Sequence, residues 1–306
     1  MHRLWLLCDG VPLRRTDGIE GNWPFHELPL ALFTTLASIG AGAFISLAAA
    51  FFTAKFSDGQ LARIDKLTLV PAIVVVVGFI AAFFHLANPM AAFGVFGGLG
   101  RSPMSNELAV AMLFAVAMAT YVIMGLAGKL GGARKGLVCA TAVLAVLFAV
   151  FMGLAYGMAT IPTWSTPWPV AQMIGYALLG GAAMGACVLA FSDALDAAVD
   201  GTFKSALIAF AVIGAVLAVA GLALMYSGAG SVSNAFVAGT DLAAGASGAF
   251  YVAVACLILA CAAVIAAALG KGGNAASAIA VILAFAGILA GRFVFYALQI
   301  SVGISF

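Results

Sequence analysis

The 306-residue chain is 65% hydrophobic and 8% charged, with a mean hydropathy of +1.20. A soluble domain carries roughly 25% charged residues, so this composition excludes one, together with disorder, a collagen-like repeat or a disulfide scaffold. A net charge of +2 without a basic patch leaves nothing to bind nucleic acid.

Residues 1–24 stand apart from the rest of the sequence. They hold Arg3, Arg14, Arg15, Asp9, Asp17 and Glu20, and their one apolar patch, Leu4 to Cys8, is shorter than the ~7–15 residues of a signal-peptide core. Two readings stand: an arm ordered outside the membrane, or a start placed upstream of the true one. From residue 25 to 306 the sequence reads as a single membrane domain. Eight apolar stretches meet the ~20 helical residues that a hydrocarbon core requires, near 28–53, 67–86, 108–128, 136–159, 170–192, 205–227, 249–269 and 275–301. Short Gly-, Pro-, Ser-, Asp- and Lys-rich links separate them, as loops should. Long unbroken runs predict an all-α polytopic bundle of eight helices in a lipid bilayer, whereas a membrane barrel would show short alternating strands.

Lysine and arginine set the orientation. With the N-terminus outside, the inside loops carry Lys55, Arg63, Lys66, Lys129, Arg134, Lys135, Lys204 and Lys271, and the outside loops only Arg101. The arginines of the arm count against this arrangement, but the balance places both termini outside the cytoplasmic membrane. Of Cys8, Cys139, Cys187, Cys256 and Cys261, four sit in apolar runs as small hydrophobes and none forms a CxxC pair, so the sequence is read as holding no iron–sulfur cluster.

Ionisable groups within spans are expensive, and each is therefore a candidate for function. His26 and Glu27 open the first stretch before Leu28-Pro29; a carboxylate there suits the positive end of the helix dipole, and His26 is either interfacial or part of a site. His85 closes the second stretch, where solvation or a carbonyl bond competes with a functional role. Glu107 opens the third, with first-turn capping as its bland reading and Ser105 as the N-cap. Arg292 lies nine residues before Ser301, roughly 14 Å along a helix, so its guanidinium needs a partner within the protein. Tyr296 and Gln299 share its face at i+4 and i+7. On the outward topology all of these fall in one half of the bundle, together with the Pro162-Thr163-Trp164 loop. A haem would need two axial ligands at a common depth; His26 and His85 both lie near span ends, and no haem is read.

At these positions the sequence resembles the membrane-anchor subunits of the dimethyl sulfoxide reductase family. The matching pieces are His26-Glu27-Leu28-Pro29-Leu30 with Phe33-Thr34, His85-Leu86-Ala87-Asn88-Pro89-Met90 with Ala92-Phe93, Ser105-Asn106-Glu107, Pro162-Thr163-Trp164, and Gly291-Arg292 with Val294-Phe295-Tyr296 and Val302-Gly303. The resemblance runs from about His26 to the C-terminus. It implies a haem-free anchor that binds and oxidises menaquinol in anaerobic respiration. Electrons would pass to an iron–sulfur subunit, and a molybdopterin subunit would reduce the terminal acceptor. The family's quinol-site histidine and glutamate fall on His85 and Glu107. Arg292 and Tyr296 match a family motif, and their roles at the quinol, with His26 beside them, are inferred here. Gln299 replaces a histidine found in some relatives. Two other functions compete: a secondary transporter, disfavoured by the lack of a clear repeat and the scarcity of midplane polar groups, and a structural anchor without an active quinol site.

Overall fold

The computed structural model describes residues 27–85, 94, 96–234 and 236–302. Eight helices in it are long and apolar enough to cross a membrane. They are α1 (Leu28–Thr53), a broken second span made of α2 (Asp58–Leu67) and α3 (Leu69–His85), α4 (Pro103–Leu126), α5 (Arg134–Leu154), α6 (Trp168–Phe191), α8 (Phe203–Ala229), α9 (Gly239–Ala268) and α10 (Gly273–Ala297). A short α7 (Leu195–Val199) joins α6 to α8. The arm at 1–24, His26, the segment 86–93 and Gly303 lie outside the described residues.

Two spans form the centre. The apolar windows of α1 and α6 are each 78% buried within the protein, against 22–44% for the other six, whose remaining faces are left for lipid. The central pair meets through glycine. A Cβ on Gly42 would collide with the Ala177 carbonyl, and one on Gly181 with the Gly42 backbone. Helices with no hydrophobic drive to associate in lipid rely on such close backbone approach. α3 and α5 pack on α1, α8 and α10 on α6, and α9 on α10. Phe33, Phe79, Phe148, Phe114, Phe44 and Tyr121 form a run of rings between α1, α3, α4 and α5, with centroids 5.7–6.3 Å apart.

The two ends differ in chemistry. The links between α1 and α2, α4 and α5, α6 and α8, and α9 and α10, with the helix ends beside them, bring Lys55, Arg63, Lys66, Lys129, Arg134, Lys135, Lys204 and Lys271 to one end. There Arg63 pairs with Asp193 at 2.7 Å and Gln60 donates to the Asp193 carbonyl at 2.7 Å. Deeper in, Arg134 pairs with buried Asp65 at 2.5 Å. The opposite end holds the start of α1 and the end of α10, and is tied by Val302 N–H to the Thr160 carbonyl (2.9 Å) and Asn234 to the Ser301 carbonyl (3.1 Å).

Helix boundaries depart from the hydropathy reading in three instructive places. The second span gains α2, a polar helix that starts with a reciprocal capping box between Ser57 and Gln60. α9 begins at Gly239, ten residues before the apolar stretch at 249, with Asp241 in its first turn. α4 begins at Pro103 with Ser102 in the N-cap position, so Ser105 is not its N-cap.

Candidate functional site

Among the described residues, Arg292 is the largest fully buried side chain. It sits on α10 roughly 8 Å, five residues, before the helix ends at Ala297. One nitrogen, Nη2, donates to the Tyr296 hydroxyl one turn on, at 2.9 Å. That hydroxyl is 2.6 Å from the hydroxyl of Tyr156, which comes from the turn after α5. The guanidinium lies over three rings, with centroid distances of 4.0 Å to Phe295, 4.7 Å to Tyr156 and 4.8 Å to Tyr296. An aromatic box holds a cation by the negative faces of its rings, and more strongly once water is excluded. Yet Nε and Nη1 of Arg292 are buried with no hydrogen-bond partner among the described residues. Two charged donors therefore remain available in the box.

The box is braced on both sides. Trp164 of the α5–α6 loop stacks on Phe295 at 4.8 Å, and its indole N–H donates to the Phe295 carbonyl at 3.0 Å. This fixes the last turn of α10 from outside the span. Gly291 gives room for Tyr176 of α6, whose hydroxyl would lie 2.6 Å from a Cβ at that position. Tyr176 is fully buried, and its hydroxyl donates toward Gln172 at 3.5 Å. Burial pushes the Tyr156 phenol well above its ordinary range, helped by the adjacent Tyr296 and opposed by Arg292. Tyr156 therefore stays protonated at neutral pH and can donate as well as accept.

Glu107 occupies the fifth position of α4, beyond the first turn. The capping reading of its carboxylate does not fit this position, because the dipole's favourable field is confined to the first turn. It is half-buried and lies within electrostatic range of both Arg292 and Tyr156. The ion pairs among the described residues are Arg63–Asp193 and Arg134–Asp65, so Glu107 and Arg292 approach without forming a contact pair. Glu27 is the N-cap residue of α1 and makes no side-chain capping bond there. His85 is the last residue of α3. Gln299 falls past the end of α10 and is exposed, and so leaves the face that Arg292 and Tyr296 share.

The structure thus joins Arg292, Tyr296 and Glu107, which the sequence picks out, and Trp164, whose loop the sequence places in the same half of the bundle, to Tyr156 and Tyr176, which it does not pick out. The available signal was scarcity: the sequence has only six tyrosines, and three of them meet at one arginine. The family model of the DMSO reductase anchor subunit (DmsC) matches residues 22–298. The protein belongs to that family. Among its curated relatives, a protein of Escherichia coli K12 named anaerobic dimethyl sulfoxide reductase chain YnfH is 31% identical over 54% of this sequence and 58% of its own length. The anaerobic dimethyl sulfoxide reductase C chain of the same organism is 30% identical over 67% of this sequence and 70% of its own. The C chain of the Haemophilus influenzae reductase is 32% identical over 47% and 52%. The anchor-family match covers all eight spans and the Arg292 box, while the pairwise matches span from about half to 70% of the relatives' lengths.

Proposed function

We propose that this anchor subunit binds menaquinol between Glu107 and the Arg292 box and oxidises it, passing electrons to an iron–sulfur subunit that feeds a molybdopterin subunit. The observation that carries this reading is the buried guanidinium of Arg292 with two nitrogens, Nε and Nη1, unpartnered among the described residues. Buried charged donors are strongly driven to find acceptors, and the oxygens of a quinol ring are acceptors of suitable size and reach. Menaquinol releases two protons and two electrons as it becomes menaquinone. Glu107, a carboxylate near the box but out of contact with it, takes one proton. His85, at the end of α3, takes the other, and His26, two residues before α1 in the sequence, is a further contact for the headgroup. Tyr296, held between Arg292 and Tyr156, orients the ring by its hydroxyl. The apolar groove on α3 lined by Val76, Phe79, Ile80, Phe83 and Phe84, about 320 Å³, runs toward the His85 end of the helix and suits an isoprenoid tail.

The basic end of the bundle faces the cytoplasm by the positive-inside rule, so both termini and the quinol end face outward. Electron transfer weakens steeply with distance, and the iron–sulfur subunit accordingly docks on the outer face. Protons and electrons then leave on one side, and turnover moves little net charge across the membrane.

The test is binding. Trp164 stands against Phe295 beside Arg292, so a menaquinone analogue in the site should quench its fluorescence. In the assembled complex, titration with a soluble naphthoquinone should give saturable quenching that Trp164→Phe removes and Arg292→Met weakens at least tenfold. Quenching that is linear, or that is unchanged in Arg292→Met, would contradict the reading.

A further inference from the structure

At the opposite end of the bundle from Arg292 lies a second charged site that quinol chemistry does not use. A cavity of about 480 Å³ opens between the end of α1, the link to α2 and the start of α5. Its walls combine three cations, Lys55, Arg134 and Lys135, with the apolar side chains of Phe51, Phe56 and Leu61. Among the described residues, the single carboxylate paired to these cations is Asp65, which accepts from Nη2 of Arg134. Nε of Arg134 is buried without a hydrogen-bond partner, and Lys55 and Lys135 form no ion pair among the described residues.

The backbone adds further donors. Gly131 and Gly132 line the cavity, and their N–H groups have no hydrogen-bond acceptor among the described residues. Gly131 has a φ of +41°, a conformation that favours glycine, and no atom comes within 4 Å of where either Cβ would be. Consecutive unpaired N–H groups beside three cations make an anion-binding concavity. The apolar walls specify more than a free ion. Phe51 lies beneath Arg134 at 5.9 Å, and Phe52, 57% exposed on the lipid side, lies beneath Lys135 at 5.6 Å. The site therefore continues from a charged mouth at the span ends into greasy surface, which matches a molecule with a phosphate at the interface and an acyl chain below it.

We infer that this cavity binds the phosphodiester headgroup of an anionic phospholipid, with Lys55, Arg134, Lys135 and the Gly131–Gly132 amides on the phosphate and Phe51, Phe56 and Leu61 against the glycerol and first methylenes. Basic pockets between membrane helices select anionic headgroups in this way.

The experiment uses the assembled complex in neutral detergent, with retained lipid counted by native mass spectrometry during titration with phosphatidylglycerol or phosphatidylcholine. Phosphatidylglycerol should saturate one site that phosphatidylcholine does not fill. The double variant Lys55→Gln/Lys135→Gln should bind it roughly thirty-fold more weakly, since each cation near an anionic surface is worth about fivefold. Lys55→Arg/Lys135→Arg should restore binding. Arg134 is left intact because Asp65 depends on it. Equal retention of the two lipids, or unchanged affinity in the glutamine pair, overturns the proposal. So does displacement of phosphatidylglycerol by millimolar inorganic phosphate, which would assign the site to a free anion. Should the glutamine pair fail to assemble, the wild-type preference between the two lipids and its loss at high salt decide the question alone.

Discussion

Replacing Arg292 by Met separates a binding role from a structural one. The guanidinium makes one hydrogen bond, to Tyr296, and leaves Nε and Nη1 buried without partners among the described residues. Buried charge in that state is a poor source of stability, and apolar residues of similar volume replace buried ionic groups neutrally or with gain. Arg292→Met should therefore assemble and unfold in detergent at or above the wild-type temperature. The Tyr156–Tyr296 contact at 2.6 Å does not involve Arg292 and can persist. Its effect on turnover is the reverse. A hydrogen bond from a charged donor contributes ~1.5–3 kcal/mol, which is about 10- to 150-fold in rate for one such bond to the quinol. Arg292→Lys keeps the charge but loses the planar fork and its stacking over three rings, so it should fall in the same range. The assay compares terminal-acceptor reduction driven by menaquinol with reduction driven by a dye that delivers electrons directly to the catalytic subunits. The quinol-driven rate should fall and the dye-driven rate stay. A drop in unfolding temperature with both rates falling together would refute the reasoning and make Arg292 structural.

Other perturbations test the same geometry. Tyr156→Phe removes the hydroxyl that holds Tyr296, a neutral hydrogen bond worth about 1 kcal/mol, and should lower the quinol-driven kcat/KM by about fivefold without moving the dye-driven rate. The high-lying Tyr156 phenol remains protonated through the ordinary range, so the quinol-driven pH profile should carry no limb from its ionisation below about pH 10, its unperturbed value; loss of such a limb in Tyr156→Phe would contradict this. Gly181→Val places a branched side chain where the Gly42 backbone already stands, and should abolish accumulation of the anchor in membranes. Asp65→Asn leaves the half-buried Arg134 without its carboxylate, a change of up to about 3 kcal/mol, the low end for buried pairs; thermal unfolding in detergent should show the loss, and Asp65→Asn/Arg134→Met should recover most of it.

The fold was readable because lipid imposes one simple requirement: long apolar helices with every backbone group bonded internally. All eight spans were visible as hydropathy. What hydropathy missed was helix that continues past the apolar run. α2 is polar because it lies at the basic end, and its Ser57–Gln60 capping box is a sequence signal that span-finding ignores. The first turns of α9, with Gly245, Ser247 and Gly248 mixed among alanines, are helical without being strongly apolar. Arg292 and Tyr296 were legible because charge inside a span is rare and i+4 spacing fixes a shared face. Tyr156 and Tyr176 were not, because their part depends on how α5 and α6 pack against α10. Glu107 shows how a small shift in helix start changes meaning. With Ser105 as the cap its carboxylate caps a helix; with the start at Pro103 it lies past the first turn and is free for other chemistry.

In the proposed mechanism, proton transfer to Glu107 is the step on which quinol oxidation depends. Glu107→Gln preserves the size of the side chain and removes its capacity to accept a proton as a carboxylate. In the assembled complex, reduction of the terminal acceptor by menaquinol should be lost while reduction driven by the dye proceeds at the wild-type rate. Equal rates for Glu107→Gln and wild type with menaquinol would contradict a role for Glu107 in quinol oxidation.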